Sequence, residues 1–596
     1  MHEAATRLFS DAALERDAHA AIATTEAAAL LDRFSTLVRE SGSSDERISA
    51  EYIIDRLRGL GIPVTVHEPE LFLSVPDRSE LTVTSGGETR QIESRPPAFS
   101  LPTGAAAVAG DVVYVPSTFA GGTGSLFDLP AAAEARGGPD PVAGRIVLTE
   151  GFSMPGPVRA FEQRGAIAQI YVHPGPRIHE GICTTIWGAP DAQSIERKPR
   201  TPVVCISRPE GERLAAAAAT GLRATIRTRL KEGWMPCLLP VVEVPGRDDP
   251  DEFLLVHGHY DSWYEGIGDN ATGNAALLEL ARVLHNLAPR LKRSVRIAWW
   301  PGHSTGRYAG STWYADHFAD EIDERCIAHL NIDSPGCAGA TAYEEVMWMA
   351  EARELCSRAI ADATTVSPQG MRPLRAGDYS FNQIGPTAFY MLLSNIPQAE
   401  RKRRGYYAVG GCGGNVAWHT PQDLLDVADL DVLRSDLQVY LTTIVRTVNA
   451  PLYPFDYAAA IDEIAAAVRQ YDATAKGHVD LQPVLDDLDA LRSEYVAWRA
   501  NAEVRVLSAG AAERRRLNAT LRRLARQLVP LNYARGERFD HDPAIKFGPV
   551  PRLEAAMRLA AASPDMRRLL ATGLLRERNK VRAMLRMARS ILNVDF

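Results

Sequence analysis

Three apolar, strand-like runs end in residues that can hold a cation or move a proton. FLLVHG (253–258) is followed by His259 in G-H-Y-D-S-W, SVRIAWW (294–300) by His303 in P-G-H-S-T-G, and CIAHLNI (326–332) by Asp333 in N-I-D-S-P-G. Asp269 lies between the first two, in G-I-G-D-N-A-T-G, at the mouth of an expected helix over 271–287. His419 follows in A-W-H-T-P-Q-D, ahead of a helix that Thr420 would cap with Pro421 in its first turn. One histidine after a strand is ordinarily structural. Imidazoles and carboxylates gathered at one sheet edge are a donor set for zinc or a similar dication. Asp261, two residues past His259, is near enough to accept the other ring N–H and fix the tautomer and orientation of that ligand.

The elements that must position these groups alternate between strand and helix over 252–450. Strands are expected at 253–258, 294–300, 326–332 and 387–393, and helices at 271–287, 307–320 and 348–362. Strands this apolar are covered on both faces, and long crossovers imply a mostly parallel sheet with helices on both sides. Ligands of such sheets bind beyond the carboxyl ends of the strands, where these residues stand. Residues 1–95 and 235–450 are read as this α/β domain, with two helices in 26–60, a cap near Ser44, and a strand at 63–68. Residues 96–234 carry short β runs at 111–116, 145–150, 168–173 and 202–207 with helical stretches at 157–165 and 209–219, a small α/β insert. Residues 451–596 lose strand signals, and helices are expected at 457–472, 480–507, 511–528 and 552–592.

Composition narrows the function. The 596 residues exceed one ordinary core, and 46% hydrophobic with 23% charged residues is a globular balance. A net charge of −8 lacks the basic footprint of a nucleic-acid binder. No apolar run approaches about 18 residues, so no membrane span is expected. The first twenty residues contain no apolar signal core. Seven scattered cysteines, Cys183, Cys205, Cys237, Cys326, Cys337, Cys356 and Cys412, read as reduced thiols of a cytoplasmic protein.

The motifs G-H-Y-D-S-W, G-D-N-A-T-G, A-G-S-T-W-Y, L-N-I-D-S and W-H-T-P-Q-D stand in the order and spacing of the co-catalytic zinc exopeptidases. Asp-Ser-Trp after the first histidine and Asn-Ile-Asp-Ser most resemble the glutamate carboxypeptidase and transferrin receptor group. R-I-V-L-T-E and Q-R-G-A-I-A-Q-I-Y-V-H resemble that group's protease-associated domain, and the helical end resembles its dimerisation domain. The resemblance implies a zinc exopeptidase-like fold and a homodimer. It also implies that His259, Asp269 and Asp333 bind one metal with Asp269 bridging, that His419 binds a second, and that Asp261 orients His259. One firmly held zinc is expected, with a weaker second ion near His419; another divalent metal would suit the same donors.

The chain departs from that group at the loop after 294–300. Two consecutive glutamates, a general base and a ligand of the second metal, are implied there. Aligned on Gly306 and Gly310, those places hold His303 and Ser304, and no glutamate occurs from 280 to 320. Serine is a neutral, shorter ligand, so the second metal site weakens. His303 can serve as a ligand or as general base, but not as both through one nitrogen. The substrate side is assigned to Asp378 and Tyr379, to Arg403 and Arg404 of the basic run 401–404, whose guanidinium groups suit carboxylates, and to His541 and Lys546. The resulting expectation is a metallohydrolase of amide bonds in small molecules or short peptides, some bearing a carboxylate. A metal-dependent lyase on the same scaffold and an inactive binding protein of the transferrin receptor kind are the alternatives.

Overall fold

The structure is a computed structural model that describes residues 10–117 and 140–593. Its chemistry rests on a six-stranded sheet in the order Val64–His67, Leu239–Val244, Arg293–Trp300, Asp249–His259, Cys326–Asn331, Thr387–Phe389. The last four strands run parallel, and Leu239–Val244 is antiparallel to both neighbours. All of Cys326–Asn331 is buried, as is Phe253 through His259, which is why these runs read as mostly apolar stretches. Alternate residues feed two cores. Leu254 and Val256 join Leu277 and Leu280 of the helix Thr272–Leu287, while Phe253 and Leu255 join Tyr314 and Ile322 across the sheet. The α/β class with helices on both faces is thus the one expected.

A second, seven-stranded sheet runs in the order Glu88–Ile92, Glu70–Ser85, Arg223–Pro236, Val108–Tyr114, Ile146–Glu150, Ala168–Val172, Val203–Ile206. Four of these strands were expected. The long ribbon of Glu70–Ser85 with Arg223–Pro236 was not, and it draws on residues ahead of position 96. Residues 223–229 alternate between exposed and buried, so charge on the outer face hides the two-residue period of a strand.

Several helix ends differ from expectation. The segment 307–320 becomes Ala309–His317 and Ala319–Arg325, and 348–362 becomes Arg353–Thr364. Helix Ser44–Gly59 is capped by Ser43, whose hydroxyl accepts from the Glu46 amide at 3.0 Å. The C-terminal region packs helices Tyr457–Ala475, Gln482–Ser508, Ala511–Tyr533 and Pro564–Asn593 into the main core. Proline at 564 starts the last of these and separates it from a 3-10 turn at Pro551–Arg558.

Candidate metal centre

At the carboxyl end of Asp249–His259 the chain turns through 260–271, and buried polar contacts fix that turn. Arg39 donates to the carbonyls of Tyr260 at 3.0 Å and Gly266 at 2.9 Å, and also to that of Glu265. Asn270 donates to the carbonyls of His259 (3.2 Å) and Ile332 (3.0 Å) and accepts from the Ser334 amide (2.9 Å), tying three loops together. Asp423 accepts from the amides of Gly268 (2.6 Å) and Asp269 (2.9 Å). The loop 301–308 folds tightly against the next helix. A Cβ on Gly310 would lie 2.4 Å from the Pro301 carbonyl, so only glycine fits.

These contacts bring the expected ligands together. Nε2 of His259 lies 3.0 Å from Asp269 Oδ1 and 3.8 Å from Asp333 Oδ2. The other Asp269 oxygen lies 3.1 Å from His419 Nε2, so one carboxylate spans two imidazoles. His259 and His303 stack at 3.7 Å with rings 14° apart, and ligand atoms of His259, His303 and Asp333 all fall within 4.8 Å of one another. His259 Nε2 and Asp269 Oδ1 are buried without hydrogen-bond partners among the described residues. Nitrogen and carboxylate donors converging in this way fit a dication.

The electrostatics agree with that fit. Burial would push the Asp269 carboxyl up, but the imidazoles of His259 and His419 beside it hold it well below the usual range. Burial, reinforced by the charge on Asp269, pushes Asp333 up. Asp423 is also pushed up, to about 6, by burial despite its two backbone amides. Burial opposes charge on His259, yet Asp261 and Asp269 raise it well above its ordinary value. Carboxylates crowded this closely repel one another, and a bound dication relieves that repulsion.

Asp261 does more than was expected and does it differently. The nearest acceptor for His259 Nδ1 is the Asp261 main-chain carbonyl, at 3.0 Å, whereas its carboxylate stands 3.6 Å away. That carboxylate accepts from the amides of His303 (3.1 Å) and Ser304 (2.7 Å) and from Ser41 Oγ (2.6 Å). It therefore organises the loop that carries His303 and Ser304. His303 Nδ1 lies 2.9 Å from Asp378 Oδ2, and the other Asp378 oxygen accepts from Ser311 Oγ at 2.7 Å. With Nδ1–H donated to Asp378, the lone pair of His303 sits on Nε2. Ser304 lines the same cavity.

No helix follows His419 directly. Its residue is left-handed (φ 57°), Thr420 Oγ1 donates to the Ala417 carbonyl, and the next α-helix begins at Leu430 with Asp429 as its cap. The inserted region, rather than a helix terminus, fixes the ring. His419 Nδ1 lies 2.9 Å from the main-chain carbonyl of Glu180.

The expected substrate residues divide. Asp378 belongs to the site through His303. Tyr379 is fully buried, donates to the Tyr390 carbonyl at 3.0 Å and does not line the cavity. Arg403 and Arg404 point to solvent and pair with Glu400. His541 pairs with Asp316 at 2.7 Å, away from the cavity. Lys546 lines a recess adjoining the main cavity through Met154 and Arg307. Sequence reasoning missed Glu180, Arg307, Trp263 and Trp418, which line the cavity, and Asp423, which holds the Asp269 loop. Asp423 was within reach, since it closes the motif W-H-T-P-Q-D. Glu180 carried no local signal, because its role depends on how the insert docks.

Residues 241–444 match the profile of Peptidase family M28. Curated relatives include the aminopeptidase NAALADL1 of Mus musculus, 30% identical over 128 residues, covering 21% of this chain and 17% of that protein. A probable glutamate carboxypeptidase VP8 of Zea mays is 24% identical over 250 residues, covering 39% and 34%. An aminopeptidase of Pseudomonas aeruginosa is 40% identical over 98 residues, covering 16% and 18%. The matched segments thus span about a third or less of these relatives' length. Among solved structures, a zinc aminopeptidase from Bacillus subtilis superposes with a TM-score of 0.53 at 19% identity, covering 72% of this chain and 95% of that one. An aminopeptidase from Aneurinibacillus sp. strain AM-1 gives 0.52 at 20% identity, covering 73% and 96%. Residues 241–444 thus carry the profile of peptidase family M28, on a fold shared with these aminopeptidases.

Proposed function

We propose that the protein is a metal-dependent hydrolase cleaving amide bonds of small molecules or short peptides, with His303 and Ser304 in place of a glutamate pair. The observation that carries this reading is the convergence of His259, Asp269 and Asp333 on a buried point where two donor atoms lack partners. These three would hold one dication, zinc by preference. Asp269 with His419 would hold a second more weakly, because only two protein donors meet there. A bound dication supplies Lewis acidity to the scissile carbonyl and acidifies a water. His303, held by Asp378, is left with Nε2 free to take a proton from the attacking water and return it to the leaving nitrogen. The aromatic side chains of Phe152, Trp263, Tyr308 and Trp418 line the cavity and exclude bulk water from it.

A second reading, favoured by the grouping of His303 with His259 and Asp333, makes His303 a metal ligand. His303→Ala tests both. Turnover should fall at least about a hundredfold in either case. Unchanged zinc identifies the proton carrier, and lost zinc identifies the ligand. Silent His303→Ala together with ordinary peptidase rates on aminoacyl and glutamyl dipeptides would refute an altered centre. Heavy-oxygen water separates hydrolase from lyase, since only hydrolysis places solvent oxygen in the product. Stoichiometric zinc without turnover of any amide would favour a binding protein.

The proposal extends to assembly and compartment. Val504 and Leu507 (72% exposed each) and Leu569 (68%) put apolar surface on the C-terminal helices, which supports a homodimer formed there. The seven cysteines are all free and buried, which accords with a cytoplasmic protein. The second sheet is proposed to be a protease-associated domain that closes one side of the cavity.

A further inference from the structure

Arg307 is 6% exposed and lines the metal cavity alongside His303, Asp333 and His419. Its guanidinium makes no hydrogen bond or ion pair among the described residues, and its Nε is buried without an acceptor. The charged group lies over the face of Tyr308, 5.0 Å from the ring centroid. Arginine is always charged at neutral pH, so this is a largely buried cation with no counter-ion among the described residues, its terminal nitrogens left to face the cavity. An aromatic face recovers only part of what water or an anion would give. The same residue forms the wall of the adjoining recess, where Arg375 and Lys546 also stand. Arg375 Nη1 is a second buried donor without a partner, although the rest of that guanidinium binds the carbonyls of Asp542 and Pro543. Two arginines with an unfilled donor therefore line the same side recess, and Arg307 reaches from it into the metal cavity. By contrast, Arg403 and Arg404 already have Glu400.

We propose that Arg307, with Arg375 behind it, forms an anion subsite that takes a carboxylate group of the substrate while the rest of the molecule reaches into the metal cavity. The planar fork of a guanidinium matches the two oxygens of a carboxylate. The aromatic walls of the cavity add a preference for a flat or apolar group beside that carboxylate. The substrate class is accordingly an N-acyl or peptidyl amino acid with a free carboxylate. The anion subsite itself does not depend on catalysis; naming its ligand as substrate rests on the amide-hydrolase reading.

The test uses N-benzoylglycine and its neutral counterpart N-benzoylglycinamide, titrated calorimetrically into the full-length protein with and without added zinc. The acid should bind at least about tenfold more tightly than the amide, as expected for a hydrogen-bonded charge pair. Arg307→Gln should bring the two within about twofold while zinc content stays unchanged. Equal binding of acid and amide to the unmodified protein overturns the proposal, and so does an undiminished preference in Arg307→Gln. Inorganic phosphate binding more tightly than N-benzoylglycine would overturn the carboxylate assignment. A check that needs no variant is labelling by phenylglyoxal with peptide mapping. N-benzoylglycine should protect Arg307, and absence of protection there counts against the subsite. An Arg307-dependent preference for the acid in a wild-type protein that takes up no zinc when zinc is offered would leave the subsite standing and remove the metallohydrolase reading. Full zinc with no Arg307-dependent preference would do the reverse.

Discussion

Asp378 tests whether His303 is a working group or a filler of the loop. Its carboxylate is fully buried, with one oxygen on His303 Nδ1 at 2.9 Å and the other on Ser311 Oγ at 2.7 Å. Asp378→Asn keeps the volume. Ser311 Oγ also lies 2.9 Å from Ser380 Oγ, so its hydroxyl can turn there and accept from the new amide nitrogen. The amide oxygen can then face Nδ1–H and preserve the tautomer, leaving only the charge missing. Exchanging a charge-assisted for a neutral hydrogen bond costs about 1–1.5 kcal/mol, or roughly tenfold in turnover. Asp378→Ala removes the anchor as well, and the loss should approach about a hundredfold, near 2.7 kcal/mol. The assay is steady-state hydrolysis of the best amide substrate from a screen, with zinc content and melting temperature measured on each variant. The expected order is wild type, then Asn, then Ala. If both variants fold, keep their zinc and turn over at the wild-type rate, the assignment of His303 as a group positioned by Asp378 is wrong.

Asp269→Asn should strip stoichiometric zinc, since that carboxylate serves both His259 and His419; elemental analysis that finds a full complement would contradict the centre. Chelator dialysis should abolish amide turnover and zinc should restore it, while turnover that survives complete metal removal would exclude a metallohydrolase. Glu351, 2% exposed, is pushed by burial up to about 7 from about 4.5. The folded state therefore keeps a proton that the unfolded chain has released, and stability falls as pH rises from about 4.5 through 7, by up to about 3 kcal/mol. Glu351→Gln should remove that dependence and gain on wild type between pH 5 and pH 8, as read by urea denaturation; parallel profiles would count against it. Light scattering should give about twice the 65.0 kDa chain mass at micromolar concentration, and Leu569→Glu should lower it. A wild-type mass of one chain would rule out the dimer.

Much of the fold was legible because its strongest signals are local. The runs 253–258 and 326–332 are mostly apolar on both faces, and each leads into a polar residue at the end of its strand. That combination points to the carboxyl edge and so to His259 and Asp333. The ribbon strand Arg223–Pro236 escaped because its outward charges resemble loop composition. Arg403 and Arg404 misled for a related reason: a basic run states charge but not direction, and Glu400 four residues or fewer away on the same short helix satisfies it. Arg307 shows the converse. One arginine between Gly306 and Tyr308 carries no pattern, and only its burial beside the metal cavity sets it apart.

The carbonyl of Glu180 on His419 gives the inserted sheet a hold on the reaction centre that no single domain possesses. Any shift of that sheet by an ångström or two would release the imidazole ring before it disturbed His259, Asp269 or Asp333, which are fastened around the six-stranded sheet itself. If one ion binds through His259, Asp269 and Asp333 and a second beside His419, the two would then report on different things. The first measures whether the central domain is folded, and the second whether the two sheets are docked. A zinc titration with unequal affinities could therefore serve as a molecular ruler for the junction between them, and mutations remote from the cavity, along the ribbon of Glu70–Ser85 and Arg223–Pro236, should register in the weaker isotherm alone.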